Sequence, residues 1–204
     1  MRVVEAQGYK EPRDALAHDW PAYLLDTFPE VKWLPVPNIK DKVLDYVQHW
    51  QLNGFILTGG NNLLEKAVRD ETELALLTYA IEKDIPVLGV CRGLQFICQY
   101  FGQNIVSCPK QLNHVAKVHS VKLAAPPVDW HEEYLQVNSY HEYCVAYNNN
   151  DEHLSMVPFA WSEDRMVEAA YCKNKKIIGV MWHPERNSPS AEFDKKLIKQ
   201  LFWG

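Results

Sequence analysis

Pro86-Val87-Leu88-Gly89-Val90-Cys91-Arg92-Gly93-Leu94-Gln95-Phe96-Ile97 passes from an apolar run to a helical pattern with no connecting loop. Val87 to Val90 carries no polar side chain, as a strand covered on both faces requires. From Leu94 to Phe101 the apolar side chains return at helical spacing. The change of period falls on Cys91, with Gly89 two residues before it and Gly93 two after. Small residues at those offsets mark a nucleophile elbow, a strand-to-helix turn so sharp that only glycine clears the neighbouring backbone. A helix N-terminus behind Cys91 stabilises negative charge, and the thiolate is the reactive form of a cysteine. The Arg92 backbone N–H is then an oxyanion donor. Taken alone, the pentapeptide also fits a buried structural cysteine.

The pattern extends in both directions from this turn. Leu44 to Trp50 reads as a short helix face. Gly54-Phe55-Ile56-Leu57-Thr58 reads as a buried strand stopping at the tight turn Gly59-Gly60, and Arg69 to Lys83 as a helix. Downstream, Val115 to Leu123, His153 to Trp161 and Val167 to Cys172 read as half-exposed strands. Ile177 to Met181 is again fully apolar, and a closing helix spans Ala191 to Phe202. The expected fold is α/β: a single domain over residues 1–204, with a mostly parallel sheet flanked by helices and additional antiparallel strands in its second half.

The 204 residues are 47% hydrophobic and 23% charged, which excludes general disorder. Lys and Arg number 21 against 26 for Asp and Glu, a net charge of −5 that disfavours nucleic acid or an anionic membrane as partner. No apolar run approaches the ~20 residues that cross a bilayer. Met1-Arg2-Val3-Val4-Glu5 lacks the apolar segment of a signal peptide, so a cytoplasmic location is expected. The five cysteines, Cys91, Cys98, Cys108, Cys144 and Cys172, are an odd set without a Cys-x-x-Cys pair. They are expected to be free, mostly buried thiols with no bound metal. His141, Glu142 and Cys144 have no second cluster at ligand spacing and read as a substrate-wall loop.

Met181-Trp182-His183-Pro184-Glu185 ends the last apolar strand with a His and a Glu two residues apart. At a strand's carboxyl end such residues project into the crevice where open α/β sheets bind ligands. Cys91, His183 and Glu185 then fill the roles of nucleophile, base and orienting carboxylate. Thr58-Gly59-Gly60 lets the backbone approach a substrate and supplies a second oxyanion donor at Gly60. Ser139 has no elbow around it and is not a competing nucleophile. Trp20, Tyr140, Tyr143 and Trp161 read as core rather than as a base-stacking platform.

Together, Thr58-Gly59-Gly60, Gly89-Val90-Cys91-Arg92-Gly93-Leu94-Gln95 and Trp182-His183-Pro184-Glu185 resemble the class I glutamine amidotransferase family. Val137-Asn138-Ser139-Tyr140-His141 is similar to a segment of its stand-alone γ-glutamyl hydrolase branch. The resemblance implies a Cys91, His183, Glu185 triad and no cofactor. Gln95 and Gly59 would lie against the glutamyl group, and Asn138, Ser139, Tyr140 and His141 would hold its amino-acid end. Arg13-Asp14-Ala15-Leu16 with Trp20, and Arg69-Asp70 followed by Glu73, resemble small amidotransferase-like hydrolases encoded with bacterial surface-polysaccharide genes. One such type splits a nucleotide-linked glutamine, γ-glutamyl-CDP-amidate, into glutamate and CDP-amidate. On that resemblance Asn61, Arg13 and Arg69 would meet the leaving group, and the substrate is a small γ-glutamyl amide with no obligatory synthase subunit. A glutaminase subunit feeding ammonia to a separate synthase, and a non-catalytic binding module on the same fold, are the alternatives. The family's first strand is a longer apolar segment than Met1 to Gln7 supplies.

Overall fold

The computed structural model describes residues 1–108, 115–147 and 156–204. The chain opens with β1 (Arg2–Glu5) and β2 (Pro12–Ala15), then α1 (Asp19–Thr27) and, after a 3-10 turn at Lys40–Lys42, α2 (Val43–His49). Next come β3 (Phe55–Leu57), α3 (Ala67–Lys83), β4 (Val87–Val90), α4 (Arg92–Tyr100) and β5 (Asn104–Ser107). The second half holds β6 (Val115–Leu123), β7 (Tyr134–Tyr140), β8 (Tyr143–Ala146), β9 (Met156–Trp161), β10 (Val167–Cys172), β11 (Ile177–Val180) and α5 (Ala191–Trp203). His153, Leu154 and Ser155, expected to begin a strand, lie outside the described residues.

The main sheet has the order β3-β4-β11-β10-β9-β6-β7, with β8 paired to β10 and β5 to β8. β3, β4 and β11 run parallel, in register from Phe55 opposite Val87 and Ile177 opposite Val87. From β11 outward every pairing is antiparallel. The α/β architecture with antiparallel strands in its second half is the one expected, and its parallel part is narrower, three strands. Among the described residues β1 pairs with β2 and does not join this sheet, and β3 forms the edge. A cavity of about 470 Å³ opens beside that edge, lined by Trp20, Phe28, Trp33, Ile56 and Phe202 and, toward the strand end, Thr58.

Side chains two apart along a strand share a face. Leu88 and Val90 of β4, with Ile178 and Val180 of β11, pack under α1 (Trp20, Leu24) and α5 (Phe193, Leu197). Val87 and Ile177 point to the opposite layer, against Val47 of α2, Leu76 and Leu77 of α3, and Leu94 and Ile97 of α4. The carboxyl ends of β3, β4 and β11 therefore meet at one rim between two helical layers. α3 buries Arg69, Thr72, Glu73, Leu76, Leu77 and Ala80, a stripe at helical spacing whose first turns are polar.

Two of the five cysteines are not free: Cys108 and Cys144 form a disulfide across a sequence separation of 36 residues. The expectation of five free thiols is corrected here. Antiparallel pairing of β5 with β8 brings the two together, and no sequence spacing announces that pairing. Cys91, Cys98 and Cys172 remain free and buried.

Candidate active site

Cys91 stands between β4 and α4 with φ 53° and ψ −107°, a backbone region that a residue with a side chain rarely adopts. Its N–H donates to the Val180 carbonyl at 2.8 Å, and its own carbonyl accepts from the Gln95 N–H at 3.1 Å. The flanking glycines are steric requirements. A Cβ on Gly93 would lie 2.0 Å from the Leu57 carbonyl oxygen, and one on Gly89 2.8 Å from the backbone of Gly93.

His183 follows the end of β11 and is almost wholly buried. Its Nδ1 lies 2.7 Å from Glu185 Oε1, and the ring also hydrogen-bonds Cys91. With Nδ1 committed to Glu185, Nε2 is the nitrogen left to face the thiol. Burial alone would lower the imidazole pKa. The hydrogen bonds to Cys91 and Glu185 outweigh it and lift the value from 6.5 to about 9. The structure thus brings together the three residues expected as a triad.

Gly59 packs against both partners: a Cβ there would meet His183 Cε1 at 2.9 Å and Cys91 Cβ at 3.5 Å. The Thr58, Gly59 and Gly60 carbonyls are turned the other way, onto the Arg69 guanidinium, at 2.5, 3.2 and 2.6 Å respectively. The Gly59–Gly60 peptide bond is trans, so the Gly60 N–H points opposite to the Gly59 carbonyl and away from Arg69. The Arg69 Nε also donates to Glu73 Oε1 at 2.8 Å. Arg92, the residue after Cys91, sends its guanidinium to Glu73 Oε2 and Asp70. Burial opposes ionisation of Glu73, but the Arg69 and Arg92 guanidiniums outweigh burial and hold its carboxyl below the usual range.

Several expected substrate contacts take other roles. Arg69 is fully buried and spends its donors on the loop carbonyls and Glu73, so it does not reach a leaving group. Arg13 is exposed on β2, held by Glu11 at 2.6 Å and Tyr9 at 2.9 Å. The Asn61 side chain grips the Val3 backbone at 2.7 and 3.1 Å, tying β1 to the oxyanion loop. Asn138 brackets the His183 main chain, accepting from its N–H at 2.8 Å and donating to its carbonyl at 2.9 Å. Gln95 donates to the Tyr143 carbonyl at 2.9 Å. Ser139 and His141 are buried in the same wall.

Arg186 was not singled out in the sequence. Its guanidinium lies 4.0 Å from the centre of the Tyr140 ring, which meets the His183 ring edge-on at 5.5 Å. Arg186 directly follows His183-Pro184-Glu185, and its place at the strand end is the signal that could have found it. Asp70 and Glu73 enter the sequence reading only through the Arg69-Asp70 and Glu73 resemblance, because acids on a helix usually face water.

The chain matches the family model for peptidase C26 over residues 31–185, a span that holds Gly59, Cys91, His183 and Glu185. The chain belongs to the peptidase C26 family. This peptidase C26 member is similar to a gamma-glutamyl-CDP-amidate hydrolase of Campylobacter jejuni, 31% identical over 196 residues, covering 92% of this chain and 88% of that protein. It is 31% identical over 144 residues to a glutamine amidotransferase-like protein of Lactococcus lactis, covering 65% of this chain and 59% of that one. Among solved structures, a GMP synthase subunit protein of Thermoplasma acidophilum superposes with a TM-score of 0.68 at 21% identity, covering 91% of this chain and 85% of the other. A glutamine amidotransferase of Thermotoga maritima gives 0.57 at 15% identity, covering 72% and 75%. At these identities the structural likenesses speak for the fold, that of glutamine amidotransferase domains. Family and relatives together make the chain a glutamine amidotransferase-like enzyme of a hydrolase family.

Proposed function

We propose that this protein, acting as one domain, hydrolyses a γ-glutamyl amide through a thioester on Cys91. One observation carries the reading: the strained elbow at Cys91 sits in hydrogen-bond contact with a His183 that Glu185 orients. The Cys91 thiolate attacks the amide carbonyl carbon, and the developing oxyanion takes the Gly60 and Arg92 N–H groups. Protonated His183 then gives its proton to the leaving nitrogen as the C–N bond breaks. Neutral His183 next takes a proton from water, which attacks the thioester and frees glutamate. The thiolate attack moves no proton, each later step moves one between His183 and a reacting atom, and no cofactor enters the balance.

Gln95, Gly59, the buried Asn138, Ser139 and His141, and the exposed Tyr140 line the glutamyl side. Arg69 is a positioning residue: by holding the Gly59 carbonyl it turns the Gly60 N–H toward the reaction. The Campylobacter relative's similarity over most of both chains favours a nucleotide-linked glutamine, γ-glutamyl-CDP-amidate, as substrate in surface-polysaccharide synthesis. Arg186, rather than Arg13 or Arg69, is the cation suited to meet its phosphates by charge-assisted hydrogen bonds. Such a substrate belongs to the cytoplasm, and the enzyme needs no synthase subunit.

The test compares kcat/KM for free glutamine, γ-glutamyl-GABA and γ-glutamyl-CDP-amidate using the purified chain alone. The nucleotide substrate should lead, and Arg186→Ala should cost it roughly ten- to a hundredfold while sparing γ-glutamyl-GABA, since one charged hydrogen bond contributes roughly 1.5–3 kcal/mol. Free glutamine leading, or inertness until a second protein is added, would replace this reading with that of an ammonia-donating subunit.

A further inference from the structure

Cys108, His141 and Cys144 form a cluster outside the Cys91, His183 and Glu185 trio. Val106 faces Cys144 and Ser107 faces Tyr143 across the β5–β8 pair, and the Cys108 N–H donates to the Glu142 carbonyl at 2.8 Å. That pairing sets the two sulfurs side by side as a disulfide. His141 leans over them, with Nδ1 3.4 Å from Cys108 Sγ and 3.1 Å from the Tyr143 carbonyl oxygen. Its other nitrogen, Nε2, lies 3.7 Å from the buried Glu168 carboxylate. One donor atom from each of Cys108, His141 and Cys144 falls within 4.8 Å of the others, with His141 and Cys144 buried and Cys108 half-buried.

We propose that reducing the Cys108–Cys144 disulfide turns this trio into a binding site for a thiophilic divalent cation, Zn²⁺ by its donor set. Two thiolates and one imidazole are the ligands Zn²⁺ takes, with water completing the tetrahedron in three-ligand sites. The reductant is a dithiol: it supplies two electrons and two protons to the S–S bond, leaving two thiols here and a disulfide on itself. The cation then displaces both thiol protons and bonds the two thiolates. It also takes the Nδ1 lone pair, so the imidazole proton must sit on Nε2. There it faces Glu168, the carboxylate-behind-histidine arrangement that orients metal ligands. Disulfide and metal exclude one another, because a sulfur bonded to sulfur is not a thiolate. In a reducing compartment the dithiol is the form available to metal.

Neither Cys91 nor His183 is a ligand, although His141 also belongs to the wall beside the glutamyl side. The proposal is tested in the Cys91→Ala chain, which removes the other thiol that adjoins a histidine. The protein is reduced with a phosphine, freed of it anaerobically, and titrated with Co²⁺ as a spectroscopic stand-in for Zn²⁺. One equivalent should produce a thiolate-to-cobalt charge-transfer band in the near ultraviolet and the intense visible bands of tetrahedral Co²⁺, both removed by Zn²⁺. The same protein in its disulfide form should give neither. Cys108→Ser and Cys144→Ser should abolish or at least halve the charge-transfer band, and Cys98→Ala and Cys172→Ala should leave it intact. No charge-transfer band after reduction, an equal band in the oxidised protein, or an undiminished band in Cys144→Ser would overturn the proposal. The comparison of oxidised with reduced protein holds even where a serine variant does not fold.

Discussion

Replacing Arg69 by Met would remove a guanidinium that makes four hydrogen bonds, three to the Thr58, Gly59 and Gly60 carbonyls and one to Glu73. The methionine fills part of the volume but frees the loop to rotate, and with it the Gly60 N–H. Losing one oxyanion donor costs about 10²- to 10³-fold in kcat. KM should change little, because the donor acts on charge that develops only in the transition state. Stability should fall by about 3–5 kcal/mol, the cost of breaking a buried ion pair. Activity is therefore measured at a temperature where circular dichroism shows the variant folded. Arg69→Lys, which keeps the charge near Glu73 and loses the planar fork, serves as the second variant. Alkylation of Cys91 by iodoacetamide separates positioning from mere destabilisation, since displacement of iodide develops no carbonyl oxyanion. Alkylation should stay within a few-fold of wild type while hydrolysis collapses. Wild-type kcat in the Met variant, or equal losses in alkylation and hydrolysis, would refute the reasoning.

Two further outcomes follow from titrating groups. His183 is held at about 9, so kcat/KM should fall as pH rises through about 9, and the apparent value belongs to the Cys91–His183 pair. Glu185→Gln removes one of the groups that raise it and should move this limb to lower pH; an unmoved limb would show that Glu185 does not act on His183. Asp194 is raised from 3.8 to about 7 by burial, against the opposing hydrogen bonds from Trp182 and Ser190. Between those values the folded state keeps a proton that the unfolded state has lost, so stability should fall as pH rises from about 4 to about 7. Denaturant unfolding across that window should show the slope in wild type and its flattening in Asp194→Asn.

The parts of this molecule legible in the sequence are those where one local pattern has one physical solution. The run from Val87 to Gly93 dictates a strand, an elbow and a helix, because glycines at 89 and 93 are the only residues that clear Ile97 and Leu57. His183 and Glu185 were legible because a strand end leaves them facing the rim. The β1–β2 ribbon, β5, β7 and β8 were not, since their pairing partners are distant in sequence and their short runs carry weak periodicity. Arg69 reads from sequence as a cation for the leaving group. Only the approach of the Thr58–Gly60 loop to α3 reveals that its donors belong to that loop. The same holds for Cys108 and Cys144, which 36 residues and a strand pairing separate from any recognisable motif.

The most direct measurement is intact-mass and peptide analysis of protein quenched in acid during turnover of a γ-glutamyl amide. A glutamyl adduct is expected on the peptide carrying Cys91, absent in Cys91→Ala, which should also lose turnover. An adduct on Cys98 or Cys172, or continued turnover by Cys91→Ala, would contradict a thioester on Cys91.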